Sequence, residues 1–407
     1  MKDHKARRDF IAQMGVTAAG LVAAGYTSTA GGYAANETLN IGAIGTGGRC
    51  RQLMQAANKI GGVRITAVCD VWDRHLAEGL KLAQPGAKSY ADFHELLADK
   101  TIDAVIIGSP DHWHVPMTIA ACQAGKDVYV EKPVTHDLSE GAALIEAVDH
   151  HRRIVQVGTQ QRSMPQFIKA KELIDSGALG DIFKVHMSWN RNQARWTRGM
   201  GDIKPESVDW KKFLGNAPDQ PFDSYRFRNW RWFWDFGGGI FTDLMVHFVD
   251  VAYWFLGLDH PDTAASIGNH FRAKDLWETP DTVQTILQFP RQHVQAYFEG
   301  TFVNARNRAM IEFMGSEGTI YLDRGRMEVH PDAGTKLHAS EFVPGTGARG
   351  ADFDPSVDGE LLHVANWIEC VRSRKQPNCP AAAGVAAAAA AHMANRALRS
   401  GQVANWE

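Results

Sequence analysis

Two short segments of this chain combine residues that can handle a proton and a hydroxyl group. Lys132 lies in the tripeptide Glu131-Lys132-Pro133, directly after an apolar segment, Lys126 to Val130, that is predicted to be a strand. Asp243 and His247 are four residues apart in a predicted helix, so they share one face of it. A histidine can take a proton from an alcohol, and a nearby carboxylate and ammonium can orient the alcohol and tune the histidine. These residues therefore predict acid–base chemistry at a hydroxyl group.

A glycine-rich turn predicts a dinucleotide site. Gly45-Thr46-Gly47-Gly48-Arg49-Cys50 follows a predicted strand, Leu39 to Ile44, and precedes a helix predicted over Arg51 to Ile60. Glycines permit the tight turn and let backbone N–H groups approach a pyrophosphate at the helix N-terminus. We expect Gly45, Thr46, Gly47, Gly48 and Arg49 to contact the cofactor. Cys50 occupies a position where glycine or alanine is usual, which puts close packing of the helix on the strand in question.

Asp70 predicts that the dinucleotide is NAD. It follows the second predicted strand, Val63 to Cys69, where a carboxylate can accept hydrogen bonds from the adenosine ribose hydroxyls. Its charge, together with that of Asp73, would repel the extra phosphate of NADP, although Arg74 is close by. The alternative is that Asp70 only caps the following helix.

The alternation of strands and helices continues, which indicates a doubly wound parallel sheet. The further strands are predicted over Asp103 to Ile107 and Ile154 to Gly158, and the helices over Val115 to Ala124 and Leu138 to His150. Ligands collect at the carboxyl ends of such strands. We therefore expect the cofactor site to include Ser109, Pro110, His114, Glu131 and Lys132. His112 and His114 are interpreted as pocket-wall or structural residues and not as metal ligands.

The second half predicts a substrate domain. Gln160, Arg162 and Trp230 are expected to bind substrate, with Lys132, Asp243 and His247. The aromatic and arginine-rich segment from Tyr225 to Phe236 could line a sugar pocket, and equally it could be core or subunit interface. After a helix, Pro165 to Ser176, the predicted strands of an open, largely antiparallel sheet are Asp181 to Trp189, Ala264 to Arg272, Asp281 to Phe289, His293 to Thr301, Met310 to Met314 and Thr319 to Leu322. An irregular loop, Pro331 to Pro355, and closing helices, Glu360 to Arg372 and Ala381 to Arg399, complete the prediction.

Composition excludes several classes of protein. The 43 basic and 46 acidic residues give a net charge of -3 with no long basic block, so no nucleic-acid partner is expected. No apolar stretch reaches the length of a membrane span, so stable membrane insertion is not expected either. The 5 cysteines are an odd number without C-x-x-C spacing, which disfavours zinc and a disulfide scaffold. No metal site is predicted.

The first 35 residues resemble a twin-arginine export signal. Arg7-Arg8-Asp9-Phe10-Ile11 precedes a mildly apolar stretch of small residues, and the positions after Ala30 and Ala34 are possible cleavage points. This pattern predicts a periplasmic location. The predicted organisation is a signal peptide over residues 1–35, an NAD-binding domain over residues 36–158 and a catalytic domain over residues 159–407.

Taken together, Gly45-Thr46-Gly47, Glu131-Lys132-Pro133 and Asp243 with His247 resemble the Gfo/Idh/MocA family of glucose–fructose oxidoreductase and inositol dehydrogenase. The resemblance implies a Rossmann domain followed by an open-sheet α/β domain, a nicotinamide cofactor and a sugar or cyclic polyol substrate. It also implies that Lys132 positions the substrate hydroxyl, that His247 is the acid/base and that Asp243 orients the pair. A homodimer or homotetramer is implied as well.

The function predicted from this resemblance is NAD-dependent oxidation of a secondary hydroxyl of a sugar or cyclic polyol. One alternative is an NAD-dependent glycoside hydrolase or lyase, which works by transient oxidation, elimination and re-reduction. A second alternative is a non-catalytic sugar or nucleotide sensor that keeps the fold, and an intact set of Lys132, Asp243 and His247 argues against it.

Overall fold

The computed structural model describes residues 38–197, 199–200 and 203–406. The predicted export signal over residues 1–35 therefore lies outside the described residues. The unit Thr38–Glu407 is compact and contains two sheets. Within the described residues, no helix is both long enough and apolar enough to cross a bilayer.

The first sheet has six parallel strands in the order β3-β2-β1-β4-β5-β6. The strand order reverses direction beside β1, so a crevice opens between β1 and β4 at their carboxyl ends. The central strands consist of apolar residues with both faces covered, as in doubly wound sheets. The strands are β1 (Leu39–Ile44), β2 (Val63–Cys69), β3 (Lys88–Tyr90), β4 (Ala104–Ile107), β5 (Asp127–Val130) and β6 (Val155–Val157).

Helices cover both faces of this sheet. Cys50 in the first helix is fully buried, and a Cβ built on Gly108 would lie only 2.7 Å from the Cys50 Cβ. The glycine that permits close packing is therefore on the neighbouring strand end and not on the helix, which answers the question raised by Cys50. The helices are α1 (Gly48–Asn58), α2 (Asp73–Leu80), α3 (Phe93–Ala98), α4 (His114–Gln123) and α5 (Glu140–His151).

The second sheet has nine strands in the order β14-β13-β12-β11-β7-β10-β9-β8-β15, and it is antiparallel except for the pairing of β7 with β10. Alternate residues of β9 are buried and exposed, as expected for a sheet with one covered face. The strands are β7 (Ile182–Asn190), β8 (Thr263–Asn269), β9 (Thr282–Phe289), β10 (Val294–Thr301), β11 (Ala309–Gly315), β12 (Gly318–Leu322), β13 (Met327–Pro331), β14 (Ser340–Phe342) and β15 (Ala404–Asn405).

Helices also cover the inner face of the second sheet. The segment Phe241–Met245 is a π-helical turn that leads directly into an α-helix whose residues are nearly all buried. The helices of this half are α6 (Pro165–Asp175), α7 (Trp210–Leu214), α8 (Ser224–Arg228), α9 (Val246–Leu256), α10 (Gly359–Ser373) and α11 (Ala381–Ser400).

The last two helices return to the first sheet. Trp367 of α10 is fully buried in the same apolar cluster as residues of β1 and α1, with its ring 5.8 Å from that of Tyr129. On α11 a Cβ at Gly384 would lie 2.6 Å from Val157, so this small residue permits close approach to β6. The C-terminal helices therefore support the first sheet as well as the second.

The predicted fold class, a Rossmann sheet followed by an α/β domain with a largely antiparallel sheet, is confirmed. Several details differ from the sequence prediction. The first helix begins at Gly48 instead of Arg51, because the glycines themselves form its first turn. The elements α2, β3 and α3 between Cys69 and Asp103 were not predicted, nor was β13, since these short segments carry little periodic signal. The loop predicted as irregular contains β14.

Candidate active site

A cavity of about 970 Å³ lies at the carboxyl ends of the Rossmann strands. One side is lined by the glycine-rich turn and by the residues that follow β2, β4 and β5, and the other side by residues of the second domain. Its volume is at the upper end of the range for ligand pockets and is large enough for a dinucleotide with a small substrate. Within the described residues, no group of three His, Cys, Asp or Glu side chains is arranged to hold a metal ion.

The glycine-rich turn forms the cofactor end of this cavity. Gly45 has a φ of +72°, and a Cβ there would lie 2.6 Å from the backbone nitrogen of Ser109, so only glycine fits without strain. Gly47 caps α1 with extended backbone, and the first turn of the helix has no acidic residue. The free N–H groups and the helix dipole favour an anion at this position. Gly45, Gly47, Gly48 and Arg49 therefore fit the pyrophosphate of NAD.

Asp70 fits the adenosine ribose. Its carboxylate lines the cavity, and Oδ1 accepts a hydrogen bond from the Trp72 backbone N–H at 2.9 Å. The Oδ2 atom makes only long contacts, 3.4 Å to the Thr46 hydroxyl and 3.6 Å to Nδ1 of His75. Asp70 thus stabilises the turn before α2 through one oxygen and leaves the other with capacity for a ligand. The alternative that Asp70 caps the following helix is wrong, because the N-cap of α2 is Trp72 and no side chain caps that helix.

Thr46 itself faces away from the cavity. Its side chain is fully buried, and its hydroxyl donates to the backbone oxygen of His75 at 2.9 Å. A Cβ on Gly79 would lie 2.8 Å from the Thr46 Cβ, which shows how tightly α2 packs here. Thr46 therefore fixes the turn against α2, and its side chain is not among the residues that line the cavity.

Arg49 connects the two ends of the cavity. Its Nε donates to Glu131 at 2.8 Å and its Nη1 to Glu360 at 2.9 Å. Glu131 follows β5 and Glu360 begins α10, so this arginine ties the start of α1 to two other elements. Glu360 also accepts a hydrogen bond from Gln160 at 3.2 Å. Sequence reasoning missed Glu360 because it lies far along the chain in an ordinary helical segment.

Lys132 and Asp243 meet at the other end of the cavity. The Lys132 Nζ lies 3.0 Å from Asp243 Oδ1 and 2.6 Å from its backbone oxygen, and Arg231 Nε lies 3.2 Å from the same Oδ1. Burial would raise the pKa of Asp243, but the charges of Lys132 and Arg231 outweigh burial and hold that pKa well below its ordinary value. The carboxylate is therefore ionised and fixes the Lys132 ammonium in the cavity.

His247 lines the same end of the cavity and is buried. Its Nδ1 has no hydrogen-bond partner within the described parts of the chain, and its ring centroid lies 5.3 Å from that of Trp189. Burial first, and then the charges of Lys132 and Arg324, lower the pKa of His247 well below its ordinary value. The imidazole is therefore neutral at physiological pH and can accept a proton.

The π-helical turn places Asp243 and His247 together on the cavity wall. Such turns insert one residue into a helix and often occur at functional sites. A hydrogen bond from α11 holds the preceding glycine segment: Asn395 donates to the Gly238 oxygen at 2.8 Å. Gly239 in this segment has a φ of +67°. The direct partners of Asp243 are the cations Lys132 and Arg231.

Most of the other predicted site residues line the cavity, namely Ser109, Pro110, His114, Glu131, Gln160 and Trp230. His114 is buried, and its two ring nitrogens lie 2.6 Å from the Pro133 oxygen and 2.9 Å from the Ser109 oxygen, so it also positions the lysine turn. His112 packs among aromatic rings and contacts the Phe213 oxygen at 2.9 Å. Trp230 lines the cavity whereas Trp232 belongs to the core, so both interpretations of the aromatic segment hold in part.

Arg162 is the predicted substrate residue that the structure places elsewhere. It lies behind the cavity wall, where its Nε and Nη2 donate to the two carboxylate oxygens of Asp250, each at 2.8 Å. Asp250 is fully buried on α9, and its charge requires a cation beside it. Arg162 therefore holds α9 in place and is not available to a substrate.

Many residues of the second domain line the cavity without having been predicted as site residues, and they include Trp189, Arg191, Arg324 and Phe353. Trp189 and Arg191 lie at the end of β7, and Arg324 follows β12. No spacing or motif marks these positions, and only the fold brings them to the cavity. A charged residue directly after an apolar strand, as in Leu322-Asp323-Arg324, was the one available signal.

Comparison with known proteins identifies the family. Residues 39–159 match the family model described as an oxidoreductase family with an NAD-binding Rossmann fold, and residues 167–321 match the Gfo/Idh/MocA C-terminal domain. The chain belongs to the Gfo/Idh/MocA family. The first of its two domains is accordingly an NAD-binding Rossmann domain, as predicted.

Similar sequences include inositol dehydrogenases. The inositol 2-dehydrogenase of Salmonella typhimurium is 34% identical over 151 residues, which cover 37% of this chain and 45% of the relative. The chain thus spans less than half the length of that relative. The scyllo-inositol 2-dehydrogenase (NAD(+)) of Bacillus subtilis is 28% identical over 298 residues, covering 70% of this chain and 72% of the relative.

Solved structures with the same fold cover nearly the whole chain. A levoglucosan dehydrogenase in complex with NADH and levoglucosan has a TM-score of 0.70 at 18% identity, covering 91% of this chain and 99% of the other. The myo-inositol 2-dehydrogenase of Lactobacillus plantarum has a TM-score of 0.68 at 23% identity, with 91% and 100% covered. At these identities the likeness establishes the fold.

Proposed function

We propose that this protein is an NAD-dependent oxidoreductase that oxidises a secondary hydroxyl of a sugar or cyclic polyol. The observation that carries the proposal is the convergence of Lys132, Asp243 and His247 at one end of a cavity whose other end fits NAD. The names of the similar proteins, inositol and levoglucosan dehydrogenases, are consistent with such a substrate.

Each of the three residues has a distinct part in this chemistry. The Lys132 ammonium, held by Asp243 at 3.0 Å, donates a hydrogen bond to the reacting hydroxyl and fixes its position. The neutral His247 accepts the hydroxyl proton as the alcohol becomes a carbonyl. Asp243 balances the charge of Lys132 and keeps the ammonium in one place. NAD, when bound, takes the hydride from the same carbon.

A substrate panel tests the proposal. The purified protein is incubated with NAD and with myo-inositol, scyllo-inositol, levoglucosan, common aldoses and sugar acids, and NADH and the oxidised sugar are measured. Oxidation of at least one member, abolished in His247→Asn, is the expected result. Aryl glycosides in the same panel report glycoside cleavage: release of the aglycone would replace net oxidation by the elimination route. A panel with neither reaction and no bound NAD would contradict the proposal.

We further propose that the protein is exported by the twin-arginine route and keeps its NAD bound. Arg7 and Arg8, which lie outside the described residues, support export, and that route moves proteins already folded. A periplasm has no ready pool of free NAD, so the cofactor must be restored within the site: the hydride passes from the reduced cofactor either to a second sugar or back to the oxidised intermediate after elimination. We expect NAD to survive gel filtration and turnover to continue without added NAD. Release of one NADH per sugar consumed would contradict the closed cycle.

We also propose a homo-oligomer formed through the outer face of the nine-stranded sheet. Ile286 of β9 and Ile267 of β8 point to this face and are 40% and 63% exposed, and Tyr297 of β10 pairs with Ile286. Exposed apolar residues on one sheet face are typical of subunit contacts. Light scattering should give a dimer or tetramer, and Ile286→Lys should shift it toward the monomer; a monomer at all concentrations would contradict this.

A further inference from the structure

Arg324 is a buried arginine, and two nitrogens of its guanidinium group make no hydrogen bond to a described residue. The residue is 4% exposed and lines the cavity directly after β12. Its Nη1 donates to the Asp352 backbone oxygen at 2.9 Å. Its Nε and Nη2 are buried and have no hydrogen-bond partner among the residues that the structure describes. Buried donors are nearly always paired, so two free ones on one guanidinium point to a ligand that supplies the acceptors.

The two free nitrogens lie on the same edge of the guanidinium, and this edge matches a carboxylate. Nε–H and Nη2–H point in parallel, which allows two hydrogen bonds to the two oxygens of one planar carboxylate. The same chain contains such a pair, because Arg162 uses its Nε and Nη2 to bind both oxygens of Asp250 at 2.8 Å. Within the described residues, Arg324 presents the same donors without a carboxylate bound to them.

The two acidic groups near Arg324 each bind another cation, although Oδ1 of Asp352 has no hydrogen-bond partner among the described residues. The Asp352 carboxylate binds Nε of Arg191 at 2.6 Å, and Glu360 binds Arg49 at 2.9 Å. Burial lowers the pKa of Arg324 to about 10, which still leaves it charged at neutral pH. A positive charge in this buried position favours an anionic ligand.

Trp189 places this charge next to the proposed catalytic residues. The Arg324 Cζ lies 5.1 Å from the Trp189 ring centroid, and the His247 ring lies 5.3 Å from the same ring. Arg191 also contacts this ring, at 5.3 Å, and Phe353, which is 62% exposed, covers Arg324 from the solvent side at 5.2 Å. Arg324 and His247 therefore flank the same fully buried ring, so a ligand that presents a hydroxyl to His247 has Arg324 near a second substituent.

We propose that the substrate is a sugar acid whose carboxylate is bound by Nε and Nη2 of Arg324. This inference rests on the proposed function, since it assigns the class of substrate for the same cavity. It separates this chain's substrate from neutral polyols such as the inositols, which offer no group of matching charge.

The test compares matched ligands by calorimetry in the presence of NADH, so that binding is measured without turnover. The probes are D-glucuronate, D-galacturonate, D-mannuronate and D-gluconate, each with its uncharged amide, together with glucose 6-phosphate and inorganic sulfate. We expect at least one carboxylate to bind tenfold or more tightly than its amide. Equal binding of every carboxylate and its amide, or no binding by any carboxylate, overturns the inference. Tighter binding of the phosphate or of sulfate overturns the assignment to a carboxylate.

Two variants locate the effect. In Arg324→Met the preference for the carboxylate should fall to within about twofold, with the affinity for NADH unchanged. The control is Arg291→Met, a substitution at a half-exposed surface arginine that pairs with Asp259, and it should behave as wild type. A carboxylate preference that survives in Arg324→Met overturns the inference. A carboxylate preference without NAD reduction on any probe leaves the inference standing and counts against the proposed function alone.

Discussion

Two buried polar regions of this protein use the same residue types in opposite ways. Behind the cavity wall, every nitrogen of Arg162 and His363 has a partner: Arg162 binds Asp250 and the Asn378 oxygen, and His363 contacts Ser163 and the Val157 oxygen. We call these five side chains, Arg162, Ser163, Asp250, His363 and Asn378, the support network. At the cavity, His247 has a free Nδ1, and Arg324 has a free Nε and Nη2.

Within these two regions, the presence or absence of a hydrogen-bond partner separates the structural residues from the candidate ligand-binding residues. A buried polar group without a partner costs about 1–3 kcal/mol and therefore requires an explanation. Partner loss alone does not mark a site, because Tyr129 Oη, Gln156 Oε1 and Trp367 Nε1 are also unpaired among the described residues and lie outside the cavity lining. The support network is satisfied by the protein itself and stabilises the packing of α9 and α10. For the free nitrogens of His247 and Arg324, we expect a bound ligand to supply the partners. Substitutions in the support network and at the cavity should therefore have different effects.

The largest effect is expected from the two histidines. His247→Asn should lower kcat by about 10²–10⁴ because it removes the proton acceptor, while folding and NAD binding remain intact. His363→Asn should leave kcat per folded molecule within about twofold, because His363 lies outside the cavity lining. Steady-state kinetics with active-site titration by NADH measures both. Equal losses of kcat in the two variants would abolish the distinction between the regions.

Substitution of the two arginines should affect the free energy of unfolding in the reverse order. The variant of the support network should lose stability, and the variant at the cavity should not. Arg162→Met leaves the fully buried Asp250 charge without its partner and should cost about 3–5 kcal/mol of unfolding free energy. Arg324→Met removes two unsatisfied donors and should be neutral or slightly stabilising, within about 1 kcal/mol. Urea unfolding of both variants provides the measurement. A loss of several kcal/mol in Arg324→Met would show that this guanidinium is structural.

This comparison also explains what the sequence could predict. The glycine turn, Asp70, the lysine turn and the pair Asp243 and His247 were found because each lies in a local pattern whose chemistry can be stated from neighbouring residues. The alternation of strands and helices likewise predicted both sheets, because periodicity is a local property.

Ion pairs and hydrogen bonds between residues far apart in the sequence could not be predicted. Arg162 was assigned to substrate because it lies two residues after Gln160, yet Asp250, far along the chain, binds it. Arg324 was overlooked because nothing near it in sequence shows that, among the described residues, its guanidinium has one hydrogen-bond partner, the Asp352 backbone oxygen. Whether a buried charge is paired depends on contacts between distant segments, which no local pattern encodes.

A smaller effect concerns pH. Burial lowers the pKa of His363 to about 4, below the ordinary value of about 6.5 in an unfolded chain. The unfolded state therefore binds the proton first, so the stability from neutral His363 is complete above pH 6.5 and is lost as pH falls toward 4. Relative to wild type, His363→Gln should recover about 2 kcal/mol between pH 7.5 and pH 5. Urea unfolding at both pH values tests this, and a difference that does not change with pH contradicts it.

Asp70 is intermediate between the fully paired side chains of the support network and the unpaired groups at the cavity. Substitution of Asp70 is expected to have the smallest effect. One carboxylate oxygen is satisfied by the Trp72 N–H at 2.9 Å, as in the support network, and the other is only weakly bound, as in the cavity. Asp70→Asn keeps an acceptor for Trp72 but removes the charge that opposes the extra phosphate of NADP. The wild type should prefer NAD to NADP by roughly tenfold or more, which corresponds to about 1.4 kcal/mol. Arg51 and Arg228, which also line the cavity, could bind that phosphate once Asp70 is neutral. The Asp70→Asn variant should therefore lose most of the preference for NAD over NADP, as measured by titration with both cofactors. Its free energy of unfolding should change little. Equal binding of NAD and NADP by the wild type would show that the free oxygen of Asp70 does not select the cofactor.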